Sequence, residues 1–211
     1  MRSFSKTFYL LKRFGNSLFT HNCVTCGKAV RGNCLCEKCS EKLSPAGNYY
    51  NGFAFAYYYE GPAMDAVLRF KFGEDPDFCF DTLCDWLLKA FEKLGEKGFD
   101  AVVPVPAFET KETRISELSE KFSLLADIPF KPEYLRKIRK TEKQHKLSAA
   151  ERRTNITGAF EADSSVFGKK ILLVDDIFTT GSTANECVNA LYDKGAEKVC
   201  VVTILKTVYN K

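Results

Sequence analysis

Ile171-Leu-Leu-Val-Asp-Asp-Ile-Phe-Thr-Thr-Gly-Ser-Thr183 is the stretch on which the reading of the fold turns. Ile171 to Val174 is a continuous apolar run, short and branched, that suits a central strand buried on both faces. Asp175 and Asp176 follow at its carboxyl end, where open α/β sheets place their ligands. Thr179, Thr180, Gly181, Ser182 and Thr183 then form a small-residue loop that leads directly into a helix, marked by Ala184, Cys187, Val188 and Leu191 at helical spacing. A loop of this kind turns backbone N–H groups and hydroxyls onto an anion, and the helix N-terminus adds favourable electrostatics.

Strands and helices alternate outward from this segment. Downstream, Gly195 caps the helix and Val199 to Ile204 reads as another strand. Upstream, Ala101 to Val105 is a short strand ending in Pro104-Val-Pro106, and Ile115, Leu118, Phe122 and Leu125 mark the helix after it. Phe80, Leu83, Leu87, Leu88, Phe91 and Leu94 recur at spacings of three and four, an amphipathic helix stopped by Gly95. Phe53 to Tyr59 is an aromatic strand between Gly52 and Gly61, with a helix starting after Pro62. The pattern predicts an α/β fold with a central, mostly parallel sheet flanked by helices.

The 211 residues are 45% hydrophobic, which fits a packed core. Thirty-one basic against 27 acidic residues leave a net charge of +4, too small to argue for nucleic-acid binding by itself. No apolar run approaches the roughly 20 residues that span a bilayer. The first twelve residues lack the apolar centre of a signal peptide, so the expected compartment is cytoplasmic.

Carboxylates beside an anion site make sense if one ligand carries both hydroxyls and phosphate. 5-Phosphoribosyl 1-diphosphate (PRPP) does, and the order of residues from Asp175 to Thr183 resembles the PRPP-binding segment of type I phosphoribosyltransferases. That resemblance implies the same fold, with Asp175 and Asp176 on the ribose hydroxyls, Thr179 to Thr183 on the 5′-phosphate, and Mg²⁺ accompanying the diphosphate. The plainer reading makes Asp175 and Asp176 caps of the following turn. A receiver-domain acidic pocket fails because too little chain follows Asp176. Asp100 to Pro106 is similar to the strand and loop that contact the departing diphosphate, which assigns Pro104 and Val105 to the PRPP site.

Between Arg136 and Arg153 stand eight basic residues, Arg136, Lys137, Arg139, Lys140, Lys143, Lys146, Arg152 and Arg153, against Glu142 and Glu151. Three readings stay open: a solvated loop, a nucleic-acid patch, or a flap that closes over the diphosphate. The flap has a chemical rationale, because cleaving the C1–O bond develops positive charge on the sugar and negative charge on the leaving group. Cations stabilise the latter and closure excludes water.

Five of nine cysteines fall between Cys23 and Cys39. Cys23-Val-Thr-Cys26 and Cys36-Glu-Lys-Cys39, nine residues apart, can supply four thiolates from two tight turns, the arrangement of a closed structural Zn²⁺ knuckle. Cys34 and His21 are spare donors. Cys79, Cys84, Cys187 and Cys200 sit among apolar residues and read as core. Pro45, Gly47 and Asn48 suggest a linker, dividing the chain into a cysteine module at 1–45 and an α/β domain at 46–211.

A cysteine knuckle joined to a type I phosphoribosyltransferase domain resembles the ComF family, with members implicated in natural competence and DNA uptake. The resemblance runs from Cys23 to Lys206. It rests on the paired Cys-x₂-Cys, Leu68-Arg-Phe-Lys-Phe-Gly73, Asp100 to Pro106, Leu147 to Phe160, and the PRPP segment. It implies that Arg152 and Arg153 act in catalysis beside Asp175 and Asp176, that Asn155 lies near them, and that Lys71 lies on the diphosphate side. It also implies phosphoribosyl transfer from PRPP to an unidentified nitrogen acceptor, or an accessory role that binds nucleotide, single-stranded DNA or competence proteins. After Pro106 the chain departs from the family pattern: Ala107 to Glu117 stands where many relatives carry a basic run ending in Arg-Gly-Phe-Asn-Gln.

Overall fold

The computed structural model describes residues 11, 18–46, 52–73, 76–107, 113–141 and 155–208. At its centre lie four parallel strands: β3 (Phe53–Tyr58), β4 (Ala101–Pro104), β7 (Lys170–Phe178) and β8 (Lys198–Lys206), ordered β3-β8-β7-β4. β7 and β8 are the two inner strands and the longest. Their side chains alternate between two buried layers, Leu172, Val174, Val202 and Ile204 into one and Ile171, Leu173, Val199 and Val201 into the other. Burial on both faces is why these segments read as unbroken apolar runs.

On the first face pack the helices α2 (Gly61–Phe72), α3 (Phe80–Leu94) and α4 (Arg114–Ala126). Leu83, Leu87, Ala90 and Leu94 bury one stripe of α3, each leucine contributing about 1.5–3 kcal/mol through burial. Thr113 caps α4, its Oγ1 accepting from the Ser116 N–H at 3.3 Å. On the second face lie α5 (Ser182–Asp193) and a small antiparallel pair, β5 (Leu135–Lys137) with β6 (Phe160–Ala162).

The cysteine segment forms a hairpin, β1 (Thr20–Asn22) with β2 (Ala29–Arg31), and a single turn of helix, α1 (Glu37–Ser40). Its buried Cys23, Cys34, Leu35, Cys36 and Cys39 belong to the same apolar layer as α2 and α3. The Cys34 N–H donates to Thr82 Oγ1 at 3.1 Å in the buried contact with α3. Of the expected linker, Gly47 and Asn48 lie outside the described residues, while Pro45 is on the sheet: Tyr58 N–H donates to Ser44 O at 3.0 Å and Ala46 N–H to Ala56 O at 2.9 Å, so Ser44 to Ala46 runs along the edge of β3. An edge strand covered in this way offers fewer unpaired groups to other chains.

Two expectations need adjustment. β7 continues past Val174 to Phe178, so Asp175 and Asp176 lie inside the strand, because β8 is long enough to pair with them: Asp175 stands opposite Thr203 and Phe178 opposite Lys206. The basic stretch is not one loop. Arg136 and Lys137 belong to β5, and Arg136 donates to Glu161 Oε2 through Nε at 3.1 Å and Nη2 at 2.6 Å. Lys143, His145, Lys146, Arg152 and Arg153 lie outside the described residues, as do most of 1–17 and residues 108–112. Among the described residues no helix is long and apolar enough to cross a membrane.

Candidate ligand site and cysteine cluster

Side chains on a strand alternate in direction, so two adjacent aspartates on β7 diverge. Asp176 meets α2, where Lys71 Nζ stands 2.7 Å from Asp176 Oδ2. Lys71 occupies the last turn of that helix, which stops at Gly73. A Cβ on Gly73 would lie 2.4 Å from the Arg69 carbonyl oxygen, so the glycine of Leu68-Arg-Phe-Lys-Phe-Gly73 is required by close approach of backbone. Asp175 is turned the other way and accepts, through Oδ1, the Asp176 backbone N–H at 2.9 Å. Burial, then the neighbouring Asp176 charge, push the Asp175 carboxyl up to about 7, against the opposing pull of that N–H and of Lys71.

After β7 the chain turns at Gly181, which has φ +76° and is the N-cap of α5. A Cβ there would lie 2.4 Å from the Phe178 ring, so space and backbone both demand glycine. Thr180 and Ser182 hydroxyls are 2.9 Å apart and hold the loop closed. A cleft of about 340 Å³ opens over this turn, lined by Lys71, Val105, Asp175, Asp176, Thr179, Gly181 and Thr183 among others. Thus one cation, two carboxylates and the amino end of a 12-residue helix converge on one cavity.

The residues expected for the site fall into groups. Lys71, Val105, Asp175, Asp176, Thr179, Gly181 and Thr183 meet at the cleft; Thr180 and Ser182 shape the loop beneath it. Pro104 ends β4 opposite Val174, and the Val105 N–H donates to the Val174 carbonyl at 2.9 Å, which carries this loop to the cleft edge. Asp100, from the same motif, is spent on the scaffold: its Oδ2 accepts the Lys170 N–H at 2.8 Å. Ile177, Phe178 and Ala184 also line the cleft, a role that apolar residues inside the motif did not suggest. Another contact unforeseen in the sequence is Glu186 of α5, whose Oε1 accepts the Gly158 N–H at 2.6 Å. Arg139 Nη2 donates to the carbonyls of Asn155 at 3.0 Å and Thr157 at 2.7 Å, so this cation braces backbone.

A larger cleft, about 690 Å³, separates the hairpin from α2 and is lined by Cys23, Asp65, Arg69 and Phe78, with His21 stacked on Phe78 at 4.3 Å between ring centres. Its size does not make it the ligand site. Both clefts carry acidic and basic groups, but of the two it is the smaller that sets an adjacent pair of carboxylates and a lysine at the amino end of α5.

The four thiols Cys23, Cys26, Cys36 and Cys39 lie within 4.8 Å of one another. Cys26 and Cys36 Sγ are 3.6 Å apart, close to the edge of a tetrahedron of zinc–sulfur bonds. Burial raises the Cys23 thiol, but N–H groups of Cys36, Cys26 and Thr25 outweigh it and bring the group to about 6. Burial and the neighbouring sulfurs send Cys39 up to about 12. Crowding of sulfurs thus holds the proton on Cys39, and a dication is the natural partner for all four. The cluster could hold a metal ion such as zinc. His21 and Cys34 stand outside it: His21 stacks on Phe78, and Cys34 is buried against α3. Cys79, Cys84, Cys187 and Cys200 are buried in the core, as expected.

A twisted parallel sheet with this acid pair, glycine turn and helix is the type I phosphoribosyltransferase fold, and residues 112–208 match the phosphoribosyl transferase domain family. Along most of its length the chain aligns with Competence protein F of Haemophilus influenzae, at 28% identity over 85% of this chain and 82% of that protein. Competence protein ComFC of Bacillus subtilis is 26% identical over 89% of this chain and 78% of its own length. The chain is thus similar along most of its length to proteins named for competence. The solved glutamine PRPP amidotransferase from B. subtilis aligns at 21% identity and a TM-score of 0.44, over 64% of this chain; this chain spans 30% of that enzyme.

Proposed function

We propose that the chain binds PRPP together with Mg²⁺ and transfers its phosphoribosyl group to a nitrogen acceptor. The carrying observation is the single cleft in which Asp175, Asp176, Lys71 and the Thr179 to Thr183 turn converge. Asp175 and Asp176 accept the ribose hydroxyls; the N–H groups and hydroxyls of the turn hold the 5′-phosphate at the amino end of α5. Lys71 and Val105, which line the same cleft, face the diphosphate. Oxygen donors of this type suit Mg²⁺, which when bound neutralises charge on the leaving diphosphate.

In the transfer, the nitrogen lone pair forms a bond to C1 of the ribose while the C1–O bond to diphosphate breaks. Diphosphate leaves with the electron pair, and the nitrogen releases its proton. Arg152 and Arg153 are proposed to stabilise that leaving group. Zn²⁺ is proposed at Cys23, Cys26, Cys36 and Cys39, giving residues 1–45 a structural role beside the ligand-binding 46–211. The nine free thiols suit a reducing compartment, the cytoplasm.

Calorimetry of PRPP with and without Mg²⁺, comparing the natural chain with Asp175→Asn/Asp176→Asn, tests the site. Mg²⁺-assisted binding that disappears in the double variant is the expected result; a folded, zinc-loaded chain that ignores PRPP sinks the proposal. Diphosphate release across nucleobase and amine acceptors then tests turnover.

The names of the competence relatives and the basic stretch support a second reading, an accessory role in which the cleft binds nucleotide or the chain binds single-stranded DNA or competence proteins without turnover. Its test is DNA binding with a steep salt dependence, weakened by Lys140→Glu. Arg139 is a poor choice for charge reversal, since its guanidinium holds two backbone carbonyls.

A further inference from the structure

Lys71 and Asp176 form an ion pair at 2.7 Å inside the cleft, with side chains only 28% and 16% exposed. Resting on the PRPP reading above, we infer that this pair is a ligand-exchange device that makes Lys71 the residue distinguishing diphosphate-bearing sugar phosphates from sugar 5-phosphates that lack the diphosphate.

Asp176 must present its carboxylate to the ribose, yet Oδ2 is already held by an ammonium group. Any sugar that engages Asp176 displaces or shares that ammonium. A ligand with a diphosphate on C1 supplies Lys71 with a replacement anion in the same cavity. Ribose 5-phosphate supplies none, and the displaced cation is left in a partly dehydrated cleft where water compensates poorly.

The exchange needs movement of one side chain and no other. Val67 and Phe70, on the buried face of α2, fix the helix, while the lysine stem is unbranched and flexible and lies two residues before the helix stop at Gly73. The salt link also holds Asp176 in place. Discrimination therefore arises on both sides: Lys71 opposes the ligand that offers it no partner and assists the one that does.

Two hypotheses about Lys71 differ in sign. If it attracts anions in general, removing its charge weakens ribose 5-phosphate as well as PRPP. If it is exchanged, removing it weakens PRPP and strengthens ribose 5-phosphate, because Asp176 is then free.

The experiment is calorimetry at fixed pH, low salt and constant Mg²⁺, titrating PRPP and ribose 5-phosphate into the natural chain, Lys71→Met and Lys71→Arg, each checked for an unchanged thermal transition. Lys71→Met is expected to bind PRPP about tenfold more weakly and ribose 5-phosphate about threefold more tightly, with Lys71→Arg keeping the natural preference. Equal weakening of both ligands, or an unchanged affinity for ribose 5-phosphate, overturns the exchange while leaving the PRPP reading intact. A natural chain that binds neither ligand overturns the PRPP reading and this inference with it.

Discussion

Asp175 carries a tension between folding and the ligand binding proposed for it. Burial and the adjacent Asp176 raise its carboxyl from 3.8 to about 7, so between those values the folded chain holds a proton that the unfolded chain has released. Stability accordingly falls as pH rises from about 4 to about 7 and stays lowered above that. Asp175→Asn keeps the shape and removes the buried charge. It is expected to be more stable than the natural chain at pH 8 by about 1–3 kcal/mol, with the difference vanishing near pH 4. Urea denaturation at the two pH values measures this; equal stability at pH 8 means that Asp175 is well solvated. The acids themselves were legible in the sequence because both stand in one motif. Their opposite directions follow from strand geometry, and the partner of Asp176, about a hundred residues away in sequence, does not.

At the level of elements, the turn from β7 into α5 depends on a glycine that meets both an aromatic ring and a left-handed backbone. Gly181→Ala places a methyl group where the Phe178 ring lies, and that ring packs on Phe53 at 4.2 Å between centres, which limits its escape. The substitution is expected to cost about 1–3 kcal/mol, and to weaken the phosphate binding proposed for this turn more than the proposed ribose binding, because the N–H groups of the turn are redirected. Urea midpoints and phosphate titrations measure the two effects; a stability change below about 0.5 kcal/mol contradicts the strained-turn account. Helices α3 and α4 and the central strands were readable because each repeats an apolar period over several turns or buries both faces. The short strands β5 and β6 were not. Three residues carry too little pattern, and they become strands only by pairing with each other on the face of α5.

Across the whole molecule the cysteine knuckle and the sheet share one apolar layer, joined by the buried Cys34–Thr82 contact and by Cys23, Cys36 and Cys39 among residues of α2 and α3. A metal held by the four thiols would therefore stabilise the entire fold and not the hairpin alone. Chelation by a strong zinc ligand is expected to lower the melting temperature by roughly 10 °C or more in a single transition, since about 1 kcal/mol shifts a chain of this size by a few degrees. Two separate transitions would instead establish an independently folding module. Proton release on adding Zn²⁺ to the apo chain gives a second readout, because Cys39 is protonated near neutral pH without the metal.

Spacing along the chain was enough to specify the strand-and-helix alternation, the four-cysteine cluster and the acid–loop–helix segment, because each is a pattern local to a few tens of residues. Tertiary structure alone decided that Lys71 pairs with Asp176, that Asp100 braces backbone, and that the knuckle is built into the main core. Those contacts join residues far apart in sequence. Distance in space depends on how the layers pack, and neither period nor spacing along the chain encodes it.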